Sequence, residues 1–257
     1  MLRFYCLIIF NLHTCIRFLF GLRRIIKNID KYSLEYRFKY CKKIIRIINR
    51  RGRIKVKVYG LENIPEKNGY IMYSNHQGRY DALSMITAHP KPFKVVIRED
   101  RAQAILEKEF LQVMDAKMLN VNNPRHGIKI FREVEEDIRH GANYLVYPEG
   151  KHCDNKNTLL EFQTGCMHFL YRAQCPILPV TIYDTYKVFG KNSLRKVKCE
   201  VHYLRPISYE EYKDLNKQGI AELVKSRIRE KLHERRIAHG EINMYDFVDD
   251  ESNNTDM

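Results

Sequence analysis

The stretch NHQGRYD, residues 75–81, sets a histidine and an aspartate five positions apart, His76 and Asp81. Histidine is the side chain whose ordinary pKa lets it take and give a proton near neutral pH. A carboxylate beside it fixes one ring nitrogen and leaves the other to act as a base. On a single helix, residues five apart differ by about 140° in direction and do not face each other. They meet if His76 sits on a loop leaving a strand and Asp81 on the first turn of the next helix. There the helix dipole also favours the anion, and Ser74, Asn75 and Gly78 supply loop chemistry. No Ser or Cys lies between the two in a nucleophile's position, so the hydroxyl to be activated belongs to a bound acceptor. The same spacing also suits a buried turn in which His76 is satisfied locally and Asp81 only caps a helix. The pair alone leaves both readings open.

Two further stretches have chemical character. YPEGKH, residues 147–152, ends an apolar run with Pro, an acid and Gly. In open α/β sheets ligands bind beyond such carboxyl ends. Lys151 and His152 suit a phosphate, aided by backbone donors beside Gly150, although an ordinary β-turn has a similar composition. CPILPVTIYD, residues 175–184, brackets a strand with Pro176 and Pro179, which suits the rigid apolar wall of a pocket.

The elements that must position these residues follow from periodicity. Alternating or short apolar runs predict strands at 54–59, 69–74, 94–98, 117–121, 144–147, 177–183 and 196–204. Helical spacing predicts helices over 80–88 and over 100–114, with Ala104, Leu106, Phe110 and Leu111 inward. A third opens at Asn123–Pro124, carries Ile128, Phe131, Val134 and Ile138, and stops at Gly141. Two more fall near 163–173 and over 208–238. Strands alternating with helices predict an α/β fold with a largely parallel central sheet flanked by helices. That domain is expected over 53–242, followed by an acidic, disordered tail over 243–257.

Residues 4–22 are about as long as a membrane span, but Asn11, Thr14, Arg17, Gly21 and Arg24 put a polar stripe along them. No small-residue cleavage site follows. A basic amphipathic helix is predicted over 31–51, with Leu34, Phe38, Cys41, Ile44, Ile45 and Ile48 on its apolar face. The net charge is +14, and 15 Lys/Arg against Asp30 and Glu35 fall between Arg17 and Lys57. Charge confined to one segment argues for docking on an anionic surface; a nucleic-acid binder would spread it along the fold. Residues 1–52 therefore read as a membrane-docking helix pair, with lysines merely solvated over a packed pair as the plainer alternative. The seven cysteines form no CxxC pair and are odd in number, which reads as free thiols in a reducing compartment. The adjacent His152 and Cys153 do not easily share one tetrahedral zinc site.

Taken together and in this order, NHQGRYD, YPEG and ILPV resemble the motifs of the glycerophospholipid acyltransferases, in particular the lysophosphatidate acyltransferases. The resemblance covers roughly residues 54–205. It implies His76 as general base, Asp81 as the carboxylate that orients it, and acyl transfer from acyl-CoA or acyl carrier protein to a lysophospholipid, with no metal or cofactor required. It also implies an anionic membrane surface on the cytoplasmic side as partner, and no nucleic acid. Two departures stand out. Lys151 and His152 replace a threonine-arginine pair after the third motif. The second motif region reads LNVNNPR, residues 119–125, with no arginine at the expected place. Arg98, Lys117, Arg125 and Lys151 are the candidates for the acceptor's phosphate, and Glu149, Gly150 and Pro179 for shaping its site.

Overall fold

The computed structural model describes residues 2–101, 107–151, 156–191 and 193–243. Ala104, Leu106, His152, Cys153 and the tail beyond residue 243 lie outside the described residues.

The centre is a seven-stranded sheet formed by β1 (Ile54–Tyr59), β2 (Ile71–Ser74), β3 (Lys94–Arg98), β4 (Lys117–Leu119), β5 (Tyr144–Val146), β6 (Ile177–Tyr183) and β7 (Val197–Tyr203). Their spatial order is β1-β7-β6-β2-β5-β3-β4. All neighbours are parallel except β6 and β7. All seven predicted strands are present, within one or two residues at their ends. β2 lies between β5 and β6, with Tyr73 opposite Val146 on one side and Pro179 on the other. Two of the sequence stretches that carry chemistry thus leave adjacent strands β2 and β5, and the third forms the neighbouring strand β6.

Side chains alternate across the sheet. Ile71 and Tyr73 face a core shared with Val134 and Ile138 of α6 (Pro124–Arg139), Leu170 of α7 (Leu170–Ala173), and Val224 and Ile228 of α10 (Lys217–Ala238). Tyr70 and Met72 face the opposite core. That core contains Met85 and Ile86 of α4 (Asp81–Ala88) and also the N-terminal helices: Phe18, Leu22 and Ile25 of α2 (Leu12–Lys27), and Phe38, Cys41, Ile44 and Ile45 of α3 (Leu34–Arg51). A boundary at residue 52 therefore divides elements that share one core.

Residues 4–22 do not form one helix. α1 (Leu2–Ile9) and α2 meet at 84°. Asn11 Nδ2 donates to Leu7 O at 2.9 Å, a side-chain bond that competes with the helical ladder. Asn11 and Thr14, part of the predicted polar stripe, both accept from Arg51 of α3. Gly21 faces Tyr40; a Cβ there would lie 1.9 Å from the phenol oxygen, so a larger residue would require the Tyr40 side chain to move. Arg3 anchors α1 by donating to Val188 O at 3.3 Å and Ser193 O at 2.9 Å. Among the described residues no single helix is long and apolar enough to cross a membrane.

Other differences are local. Ile130, Val134 and Ile138 are the buried apolar residues of α6, whereas Ile128 is exposed. The helix predicted near 163–173 is a 3-10 turn, Thr164–Met167, followed by α7. The charged helix over 208–238 is interrupted between α9 (Tyr209–Tyr212) and α10, because Asn216 restarts it by capping Gly219 N at 2.8 Å.

One buried group makes a pH prediction. His89 is fully buried between two phenols, Tyr70 at 2.7 Å and Tyr203 at 3.1 Å. Burial, then the nearby Lys42 and Lys91 charges, bring its pKa down to about 3. The unfolded chain binds a proton at about pH 6.5 that the folded chain refuses. Stability is therefore complete above pH 6.5 and falls as the pH drops from there toward 3. Between pH 6.5 and 5 the Tm of wild type should decline, and that of His89→Gln should decline less. Parallel Tm profiles would show that His89 is not the group responsible.

Candidate active site

The chain leaves β2 at Ser74 and enters the NHQGRYD loop. Asn75 is fully buried and acts as a substitute strand partner: Nδ2 donates to Ile182 O at 3.0 Å, and Oδ1 accepts from Ile182 N at 2.8 Å. This double bond fixes the exit from β2 against β6. The next residue, His76, has 21% of its side chain exposed, on the wall of a cavity of about 740 Å³.

Asp81 is the first residue of α4 and is fully buried. Its Oδ2 accepts from His76 Nδ1 at 2.7 Å, from Gln77 N at 2.6 Å and from Gly78 N at 2.8 Å. Three donors and the N-terminal end of a helix thus surround the carboxylate, an arrangement that suits negative charge. Bonding to that anion puts the imidazole proton on Nδ1, so the ring's lone pair lies on Nε2. Expected positions and observed geometry agree: a loop histidine meets the first-turn aspartate of the following helix.

The turn after β5 supports the same loop. Glu149 is 2% exposed; Oε1 accepts from His76 N at 2.8 Å and Oε2 from Leu160 N at 3.1 Å. It ties the histidine loop to the segment near Leu160. Gly150 has φ +66°, which suits glycine, and its nitrogen closes the turn onto Tyr147 O at 3.1 Å. The Tyr147 ring stacks on the His76 ring, with centroids 4.3 Å apart and planes at 20°.

Behind His76 the cavity wall is apolar, formed in part by Leu111, Leu119, Phe131, Val146 and Phe169. Ile128 also lines it, which explains an apolar residue left exposed on α6. Its cations are Arg79, Arg98, Arg132, Lys151 and Arg172. Arg98 is held by Asp100 through Nε–Oδ1 at 3.0 Å and Nη2–Oδ2 at 2.8 Å, and also donates to Gly150 O at 3.3 Å. Lys151 is exposed at the rim. The arrangement brings a histidine–aspartate pair, an apolar wall and several cations to one cavity.

Of the residues singled out from sequence, His76, Arg98, Gly150 and Lys151 line this cavity, and Asp81 and Glu149 lie directly behind it. Three are elsewhere. Lys117 lies two residues before Leu119 on β4, about 7 Å further from the carboxyl end, and pairs with Glu133 at 2.9 Å and Asp137 at 3.7 Å. Arg125 is exposed on the first turn of α6 and is not part of the wall. Pro179 is buried within β6. Arg79, Arg132, Arg172 and His168 were not anticipated. Arg79 stands inside NHQGRYD itself and was legible there; the others reach the cavity only through the packing of α6 and the 164–173 segment.

Comparison with known proteins agrees with this geometry. The chain is 28% identical over 170 residues to mouse 1-acyl-sn-glycerol-3-phosphate acyltransferase alpha, covering 61% of this chain but only 56% of that protein. It is 27% identical over 188 residues to the 1-acyl-sn-glycerol-3-phosphate acyltransferase of Borreliella burgdorferi, covering 72% and 74%. The crystal structure of PlsC, the 1-acyl-sn-glycerophosphate acyltransferase of Thermotoga maritima, superposes with a TM-score of 0.68 over 89% of this chain and 97% of that one. At 18% identity this likeness speaks for the fold. The model of the family described as Acyltransferase matches residues 55–183, half of the chain. That span runs from β1 to the end of β6 and includes both the histidine loop and the turn after β5, so the chain belongs to the acyltransferase family.

Proposed function

We propose that the protein moves a fatty acyl group from an acyl thioester to the free hydroxyl of lysophosphatidic acid, giving phosphatidic acid. The observation that carries this reading is the 2.7 Å His76 Nδ1–Asp81 Oδ2 pair on the wall of a largely apolar, cation-bearing cavity. His76 Nε2 takes the proton of the acceptor hydroxyl as its oxygen attacks the thioester carbonyl. The tetrahedral intermediate collapses, the carbon–sulfur bond breaks, and the departing thiolate receives the proton held by His76. Asp81 remains an anion and stabilises the imidazolium. Arg98 and Lys151, joined by Arg79, are the cations placed to meet the acceptor's phosphate. The donor is acyl-CoA or acyl carrier protein; no metal enters these steps.

The reaction is proposed to run at an anionic membrane surface on the cytoplasmic side. α1, α2 and the turn between them expose Ile9, Phe10, Leu12, Ile16 and Phe20, with Phe10 79% exposed. Leu12, Ile16 and Phe20 follow a spacing of four, opposite the buried Phe18, Leu22 and Ile25. Exposed Arg17, Arg24 and Lys27 flank them. Such a face suits insertion into the headgroup boundary.

A second acceptor class is favoured by one observation. Val121, in the LNVNNPR region, lines the cavity and is 45% exposed. An uncharged residue there suits an acceptor whose head group is not a simple phosphate. The test is transfer of labelled acyl groups from acyl-CoA and from acyl carrier protein to a panel of lysophospholipids. Preference for lysophosphatidic acid supports the main reading; preference for another acceptor replaces it. No transfer to any member with either donor refutes the acyltransferase activity proposed for this chain.

A further inference from the structure

The mechanism leaves one buried side chain of the histidine loop unused. Gln77 stands between His76 and Gly78, is 4% exposed and does not line the cavity. Its backbone nitrogen is one of the three donors to Asp81 Oδ2, at 2.6 Å. Its side chain reaches the segment that follows β6. Oε1 accepts from Thr185 N at 3.0 Å and from Thr185 Oγ1 at 2.8 Å, and Nε2 donates to Asn157 Oδ1 at 2.9 Å. Both lone pairs of the amide oxygen are thus used.

Asn157, buried in turn, carries the bonds further. Its Oδ1 also accepts from Asp184 N at 3.0 Å. Its Nδ2 donates to Asp184 Oδ1 at 3.0 Å and to Glu241, beyond the end of α10, at 3.2 Å. Asp184 has φ +64°, a left-handed conformation that Asp tolerates better than most residues, and Asn157 holds it by both its nitrogen and its carboxylate. Lys187 pairs with Asp184 at 2.5 Å and with Glu241 at 3.8 Å, so the two carboxylates beside Asn157 are matched. β2 lies between β5 and β6. Asn75 fixes the start of the loop on Ile182. Beyond it, Glu149 holds His76 N from the β5 side, and Thr185 holds Gln77 from the β6 side.

We propose that Gln77 is a positioning residue of the His76–Asp81 pair: its buried amide, locked by Thr185 and Asn157, fixes the peptide that gives Asp81 one of its donors. Asp81 and the imidazole then keep the place from which Nε2 meets the acceptor hydroxyl. Without the amide, Thr185 N and Oγ1 lose their acceptor in a buried site, and the loop past Asn75 loses its hold on the β6 side. A displacement of about 1 Å at a catalytic group costs as much as about 100-fold in rate.

The inference rests on His76 being the base, and its test is chosen to fail separately. Gln77→Met keeps the length and burial of the side chain without its hydrogen bonds. It should lower kcat by about 10- to 100-fold, with KM for donor and acceptor changing less than about threefold, because Gln77 is not part of the cavity wall. Thr185→Val removes only the Oγ1 donor and should lower kcat by about two- to tenfold; it decides the matter if Gln77→Met does not fold. Amide exchange of His76, Gln77 and Gly78, whose protons lie on Glu149 and Asp81, is followed by NMR on the full-length protein without substrate. In the variant these amides should exchange at least about tenfold faster, while Val201 of β7 exchanges as in wild type. A folded variant with wild-type kcat overturns the proposal. So does acceleration shared equally by Val201, which marks a general loss of stability. If wild type transfers no acyl group, the reaction is wrong, yet the exchange comparison still decides whether Gln77 holds the pair.

Discussion

His76→Ala is expected to lower kcat by about 10² to 10⁴, the range that a positioned general base contributes. Removing the imidazole leaves the acceptor hydroxyl without a proton acceptor, while the cations and the apolar wall of the cavity stay in place. KM should therefore change far less than kcat. Asp81→Asn should cost somewhat less, and the geometry explains why this variant is informative. Asp81 uses one oxygen, Oδ2, for His76 Nδ1, Gln77 N and Gly78 N. An asparagine can keep its single oxygen at that position and place its amide nitrogen where Oδ1 now lies. The loop is then retained and only the charge is lost. Thermal melting of both variants beside wild type checks that the fold survives. A folded His76→Ala protein with turnover within tenfold of wild type would remove His76 from the mechanism.

The second large effect concerns the membrane. Phe10→Ser combined with Phe20→Ser should weaken binding to vesicles rich in anionic phospholipid by about 10² to 10⁴. Burying one such side chain contributes about 1.5–3 kcal/mol, and the two are 79% and 67% exposed, so neither is needed by the core. The remaining binding should fall as salt is raised, because Arg17, Arg24 and Lys27 act through a screened field. Deleting residues 1–50 is the less clean experiment. It would remove Phe38, Cys41, Ile44 and Ile45 from the core that covers one face of the sheet, and loss of folding would mask loss of docking. Sedimentation of the double variant with vesicles, at low and at raised salt, separates the two. Co-sedimentation equal to wild type would rule out this face as the docking surface.

Much of the α/β frame was legible because each strand is a short apolar or alternating run and each major helix has a periodic face. Those signals are local and survive without knowledge of the neighbours. The break at Asn11 was harder to see, because the hydropathy of residues 4–22 is continuous and the bend depends on one side-chain bond to Leu7 together with the arginine supplied by α3. On α6, Val134 and Ile138 were read correctly as inward, but Ile128 was placed inward in error and Ile130 was missed. Ile128 is apolar because it lines the cavity, and periodicity does not distinguish a cavity wall from a core.

The sequence by itself determined the catalytic candidates. Spacing decides whether a loop histidine and a helix-capping aspartate can meet, and His76 and Asp81 have that spacing. It also determined the parallel sheet, through the alternation of strands and helices. The tertiary structure alone decided which cations belong to the site. Lys117 looked as suitable as Arg98, but strand β4 places it too far from the carboxyl end, among the acids of α6. Arg132 and Arg172 enter the cavity only because α6 and the 164–173 segment fold over it. A charge in a sequence has no direction; packing assigns it one, and at this cavity that decides which cations can reach an anionic ligand.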